Sequence, residues 1–186
     1  MRKLLLRSTS FRAAGVHGLL WAVLLSGCAS MSPEQCLKAD WYERGRLDGT
    51  FGEPETRLDA HREACAEVGV VPDAALWRQG WLETVRRYCT PRHAWAIGTE
   101  GRSYQGACRD FDEPGFLRWY RAGKDVYKTR SERDARQREI EQAEKDLQKA
   151  TTPEQRKQLR ERIRSLDEEQ ARLRRLLDAQ MSGAPQ

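Results

Sequence analysis

Asp40-Trp41-Tyr42-Glu43-Arg44-Gly45-Arg46-Leu47-Asp48-Gly49 is the stretch on which the fold turns. It sets an aromatic residue, two others and a glycine in a row, then repeats the glycine one turn later. The same unit recurs at Trp77 with Gly80, Trp95 with Gly98, and Tyr120 with Gly123. At helical pitch a residue and its third neighbour lie on one side of the helix. Glycine in a helix costs about 1 kcal/mol relative to alanine, so Gly45, Gly49, Gly80, Gly98 and Gly123 read as structural glycines that let a neighbouring helix come close. The rings would fill the groove beside each contact.

Working outward, helices are expected near residues 33–49, 55–68 and 73–88. Glu53-Pro54 and Val71-Pro72-Asp73 supply the breaks, because proline restricts the residue before it and suits a helix start. Pro91, Gly98, Gly101 and Gly106 stand among polar residues, so 90–111 reads as an irregular Gly-rich loop, with room for a short β-ribbon around 94–107.

After Lys128 the apolar residues thin to a heptad-like stripe, Ile140, Ala143, Leu147 and Ala150. A second stripe runs Leu159, Ile163, Leu166, Gln170, Leu173 and Leu177. Between them Thr152, Pro153 and Gln155 match a capping box with proline at the first helical position. The chain should turn near 151–153 and fold back as an antiparallel hairpin. That puts Leu147 near Arg156, Ile140 opposite Ile163, Arg133 near Gln170 and Val126 near Leu177. The stretch 128–139 is almost wholly charged and is expected to flex or to need a partner.

The N-terminus carries an address. Arg2, Lys3, Arg7 and Arg12 precede an apolar run from Ala13 to Leu25, which is a charged n-region and a short h-region. That run is shorter than the roughly 20 residues a helix needs to cross a bilayer. It ends in Leu25-Ser26-Gly27-Cys28, which resembles the bacterial lipobox, so Cys28 is the expected lipidation site and first mature residue. Several acyl chains anchor a protein where one would not. Ala29 and Ser30 lack the aspartate that resemblance to enterobacterial lipoproteins links with inner-membrane retention. The expected location is therefore the periplasmic face of the outer membrane, with the membrane a partner through the lipid anchor.

Outside the cytosol, Cys36, Cys65, Cys89 and Cys108 read as two disulfides with three possible connectivities. Cys36 with Cys65 and Cys89 with Cys108 are favoured, since each sequential pair encloses one supersecondary unit. The alternative is a metal site, for which His61 and Cys65 share a helical face. No Cys-x-x-Cys pair supports it, and no metal or cofactor is expected.

The expected fold is mostly all-α: a small disulfide-linked helical domain with an irregular Gly-rich loop, followed by a long antiparallel helical hairpin or coiled coil. Its parts are a signal peptide at 1–27, the helical domain at 28–111, the hairpin at 112–180 and a disordered tail at 181–186.

These residues together resemble a family of proteobacterial lipoproteins of unknown function. The resemblance rests on Asp40-Trp41-Tyr42 through Gly49, His61 to Cys65, Pro72-Asp73, Tyr88-Cys89-Thr90-Pro91, Gly98 to Gly101, Tyr104 to Cys108 and Tyr120 to Gly123. It implies a fold and an envelope address without a reaction. The sequence departs from the family pattern at Thr84, where a glycine is common, and at His93-Ala94, where Asn-Gly is common.

Charge excludes one class of function. Removing the four signal cations from 33 Lys and Arg leaves 29 against 28 Asp and Glu, too balanced for a phosphate-gripping surface, so nucleic acid is not an expected partner. No phosphate loop, dinucleotide fingerprint or zincin pair occurs. Ser103 lacks the strand and elbow of a hydrolase serine, so no catalytic residue is assigned. Two further readings stay open. One is a module for peptidoglycan or another glycan, with Trp77, Trp95 and Tyr104 as candidate packing or glycan-stacking rings. The other is an envelope hydrolase using His61 or His93. The leading expectation is an interaction or scaffold protein that shows its hairpin to another envelope protein.

Overall fold

The computed structural model describes residues 29–185. Cys28 and the expected signal segment lie outside them. The described chain folds as seven helices: α1 Pro33–Leu37, α2 Trp41–Phe51, α3 Arg57–Ala66, α4 Ala74–Tyr88, α5 Pro91–Thr99, α6 Glu113–Lys149 and α7 Pro153–Ser182. Among the described residues there is no strand, and no helix is long and apolar enough to cross a membrane.

Local chemistry sets most of the starts. Ser32 and Thr152 close reciprocal capping boxes with Gln35 and Gln155. The carboxylates of Asp40, Asp73 and Asp112 accept from backbone N–H groups of the first turns of α2, α4 and α6. Gly52, at φ 71°, ends α2 in the left-handed conformation. Asp40 also explains one difference from expectation: by capping α2 it splits the helix expected over 33–49 into α1 and α2.

The larger correction concerns residues 90–111. The expected loop and ribbon are replaced over Pro91–Thr99 by α5. The Thr90 hydroxyl accepts from His93 N–H, with Pro91 at the first position, the same start signal that is legible at Thr152-Pro153. Gly98, read both as loop punctuation and as a glycine that admits a neighbouring helix, is a helix contact. The irregular segment shrinks to about 100–112, where Gly101 and Gly106 carry positive φ.

Two helix pairs form the globule, α2 with α4 and α5 with α6. In the first, a β-carbon added to Gly45 would overlap the Trp77 carbonyl oxygen, and one added to Gly80 would overlap that of Tyr42. In the second, Gly98 stands against the Tyr120 carbonyl and Gly123 against that of Trp95. The four aromatic-x-x-glycine units therefore pair two by two, each glycine resting on the backbone of its partner's aromatic residue. The rings flank these contacts. Trp77, Trp81 and Phe116 are buried completely or nearly so, and each side chain of that size contributes roughly 1.5–3 kcal/mol on burial.

α6 runs unbroken from this globule into the hairpin, so the boundary expected near 112 falls at the start of a helix whose first turns pack on α5. At about 1.5 Å per residue α6 reaches some 55 Å and α7 some 45 Å. Ile140 and Ala143 of α6 and Leu166, Leu173 and Leu177 of α7 are buried in the seam. The charged stretch 128–139 is helical throughout, with Thr129 buried and Arg136 reaching Glu139 and Glu169. Gln170 is also buried, but its partner is Gln137 at 2.6 Å, one turn from the expected Arg133. Arg133 pairs with its neighbour Asp134 instead. α7 continues through Met181 and Ser182, so the expected disordered tail starts with helix.

Candidate functional site

The most densely constrained polar group lies where α2, α3 and α4 meet the incoming chain. Asp48 of α2 and His61 of α3 are both buried, at 5% and 0% exposure. The His61 Nε2 lies 2.8 Å from Asp48 Oδ2, and the Trp77 indole N–H donates to the same oxygen at 2.8 Å. On the far side of the ring His61 Nδ1 lies 2.8 Å from Ser30 Oγ. An unpaired buried charge would cost several kcal/mol, and here the carboxylate takes two donors. Because a carboxylate only accepts, the Asp48 contact puts a ring proton on Nε2, while Nδ1 meets a Ser30 hydroxyl that can donate or accept.

Carboxylate, imidazole and hydroxyl in a chain is the connectivity that hydrolases use. Here the serine meets Nδ1, and neither the ring nor the carboxylate faces solvent, so the network's evident effect is to fix the chain at residue 30 to the globule. Met31, at 3% exposure, is buried beside it. Asp48 and His61 were visible in the sequence as a carboxylate and one of two histidines beyond the expected signal segment, but their pairing was not. Ser30 was missed because nothing local marks it.

The cysteines take the favoured pairing. Cys36 of α1 joins Cys65 of α3, and Cys89 after α4 joins Cys108 after α5, with Cα separations of 5.4 and 5.5 Å. His61 and Cys65 do share one face of α3, but the disulfide occupies Cys65 and Asp48 occupies His61. In the chain-entropy picture, loops of 29 and 19 residues contribute roughly 3–4 kcal/mol each.

The three candidate stacking rings separate. Trp77 is wholly buried, its ring stacked on Trp81 at 6.0 Å, so it is a packing residue and cannot receive a sugar. Tyr104 is half-buried against Phe116 at 4.8 Å. Its hydroxyl accepts from Cys108 N–H and donates to Glu113, both at 2.8 Å, and burial pushes its phenol far above the ordinary range. Trp95 keeps an exposed part and meets Trp119 edge-on at 6.5 Å, with the Arg118 guanidinium 5.2 Å from the Trp119 ring centre.

The two departures from the family pattern have local explanations. Thr84 lies opposite Gly49, and its hydroxyl donates to the Arg46 carbonyl across the helix pair at 2.8 Å, a bond no glycine could make. His93 packs on Tyr88 at 4.4 Å, and burial lowers its pKa below the ordinary histidine value.

A disulfide-bonded, all-helical domain of paired aromatic-x-x-glycine helices is the class that this geometry defines. The family model described as Protein of unknown function (DUF2799) matches residues 40–125. The match takes in α2 to α5 and the first turns of α6, and so all four motif units. No curated protein and no solved structure matches the chain.

Proposed function

We propose that the chain is an envelope lipoprotein, anchored through acylated Cys28 on the periplasmic face of the outer membrane, where it serves as an interaction or scaffold protein. The observation that carries this reading is the cysteine arrangement. Of five cysteines, four pair as Cys36–Cys65 and Cys89–Cys108, and the fifth is the one that ends the lipobox. Disulfides belong to oxidising compartments, and acyl chains on that thiol would keep the domain at a membrane surface. The hairpin supplies the interaction part: its buried seam leaves charged residues along the outer faces of α6 and α7, and such faces suit a polar partner surface better than a second hydrophobic core.

Expression in the native host tests the anchor. The mature product should begin at acylated Cys28, show no alkylatable thiol without reductant and band with the outer membrane. A product beginning at Met1 would end the proposal, and an inner-membrane band would move the location. A photo-crosslinking residue at exposed position 164 on α7 should give one discrete protein adduct in living cells, and a blank result there would remove the scaffold role.

The half-exposed Trp95 beside Trp119 supports a second reading, a glycan-binding module. Retention on peptidoglycan sacculi that is lost in Trp95→Ala would favour it; no retention at all would remove it.

A further inference from the structure

The chain is held from its first described residues. Ser30 is bonded to His61, Met31 is buried, Ser32 caps α1, and Cys36 is tied to Cys65. Only Ala29 lies between Ser30 and Cys28. Two residues of fully extended chain span about 7 Å, so a lipid on Cys28 would enter the bilayer almost at the surface of the globule. A flexible tether, which would let the domain stand off, has no room in this sequence.

The surface beside that point has a defined character. Met31 lines an open groove of about 610 Å³ between α1 and α2, together with Ala39 and Leu47. Three acids, Glu34, Asp40 and Glu43, and three bases, Lys38, Arg44 and Arg46, line the same groove. Leu47 is 46% exposed, and Leu37, adjacent in sequence to groove residue Lys38, is 66% exposed. Lys38 pairs with Glu34 at 2.8 Å and Arg46 with Glu43 at 3.0 Å, so the polar rim around these apolar side chains is close to neutral, as suits a zwitterionic lipid surface. It carries none of the cationic excess that attracts anionic lipid.

We propose that this groove, with Leu47 in its lining and exposed Leu37 next in sequence to Lys38, is a membrane-contact face that rests on zwitterionic phospholipid and sets the orientation of the whole molecule. The inference rests on the anchoring reading above: acylation brings the face to the bilayer, and the α1–α2 surface then engages phospholipid directly.

The test uses the lipidated mature protein, with its acyl mass at Cys28 verified first, in vesicles of phosphatidylcholine and phosphatidylethanolamine. Three variants carry a photo-crosslinking residue singly at 37, 47 or 157, all exposed positions, the last near the hairpin tip. Irradiation should add one phospholipid mass at 37 and 47 and none at 157, with unchanged yield when anionic phosphatidylglycerol is included. Protein that floats with the vesicles yet gives no phospholipid adduct at 37 and 47 would overturn the contact face and leave the anchor standing. The same holds for adducts only to its own acyl chain, or only with anionic lipid. Protein from the native host with no acyl mass at Cys28 would overturn the anchor, and the contact face with it.

Discussion

Gly98 of α5 and Gly123 of α6 face each other so closely that a β-carbon on either would lie 3.0 Å from the other's α-carbon. Ala94 and Ile97 of α5 are buried as well. In Gly98→Ala the gain of about 1 kcal/mol in helix propensity meets a clash with the Tyr120 carbonyl, which as backbone gives way little. Overpacking of this kind costs about 1–3 kcal/mol, so the urea midpoint should fall for Gly98→Ala and for Gly123→Ala. Gly183→Ala, with only ordinary contact to Gln180, should leave it unchanged. Equal midpoints for all three would mean that the close approach does not hold the pair together.

The Asp48 network should show a graded response. Asp48→Ala strands two buried donors, on His61 and Trp77, and unsatisfied groups of that kind cost about 1–3 kcal/mol each. His61→Ala leaves Asp48 with its Trp77 bond but opens a cavity. Ser30→Ala removes one bond at a half-exposed hydroxyl, for about 1 kcal/mol. Denaturation midpoints should therefore fall in the order Ser30→Ala, His61→Ala, Asp48→Ala, from smallest loss to largest. A Ser30→Ala loss equal to that of Asp48→Ala would contradict the arrangement. A fluorophosphonate probe should leave Ser30 unlabelled, since the bond here positions chain.

Much of this was legible because spacing carries packing. The aromatic-x-x-glycine units at Tyr42, Trp77 and Tyr120 stood in segments expected to be helical, the one at Trp95 did not, and the sequential cysteine pairs, each bracketing one unit, took the favoured connectivity. The Thr152-Pro153-Gln155 signal located the turn of the hairpin. What failed was the reading of glycine by itself. Gly98 means loop when its neighbours Gly101 and Gly106 are counted with it, and means helix contact when matched to Gly123, which is 25 positions away. Periodicity reports which side of an element is apolar and is silent about which element covers it. Hence the pairing of the four units, the meeting of Asp48 with His61 and the one-turn offset of Gln170 were all invisible. Packing and stacking stayed open for Trp77 for the same reason, because an exposed tryptophan and a buried one look alike in sequence, and its complete burial decides for packing.

His93 provides a pH signature. Burial, aided by nearby Arg102 and opposed by Glu100, lowers its pKa from the ordinary 6.5. The unfolded chain therefore binds a proton at this ring more readily than the folded one, and the stability linked to it is complete above 6.5 and lost as pH falls through the lower folded value. Wild-type midpoints measured from pH 7.5 downward should drop below 6.5 more steeply than those of His93→Gln, which has no group there to titrate. Parallel curves would place the ring in water.

The hairpin offers a test in the opposite direction. Gln170 interrupts an otherwise leucine seam between Leu166 and Leu173, donating to Gln137 and accepting from Arg174. A polar residue in such a seam fixes register at a cost in stability. Gln137 and Arg174 are exposed enough to find water, so Gln170→Leu should strand nothing and extend the apolar stripe. Burial of the leucine, less the hydrogen bonds lost, should raise the hairpin's stability by about 1 kcal/mol, seen as a higher melting midpoint in helical circular dichroism. The cost should appear in register. With the polar pair gone, sliding by a turn no longer breaks a buried bond, so crosslinks between the two helices should spread over neighbouring positions where the wild type gives one. A variant that melts lower, or that melts higher with crosslinks as sharp as the wild type's, would show that Gln170 does not set the alignment.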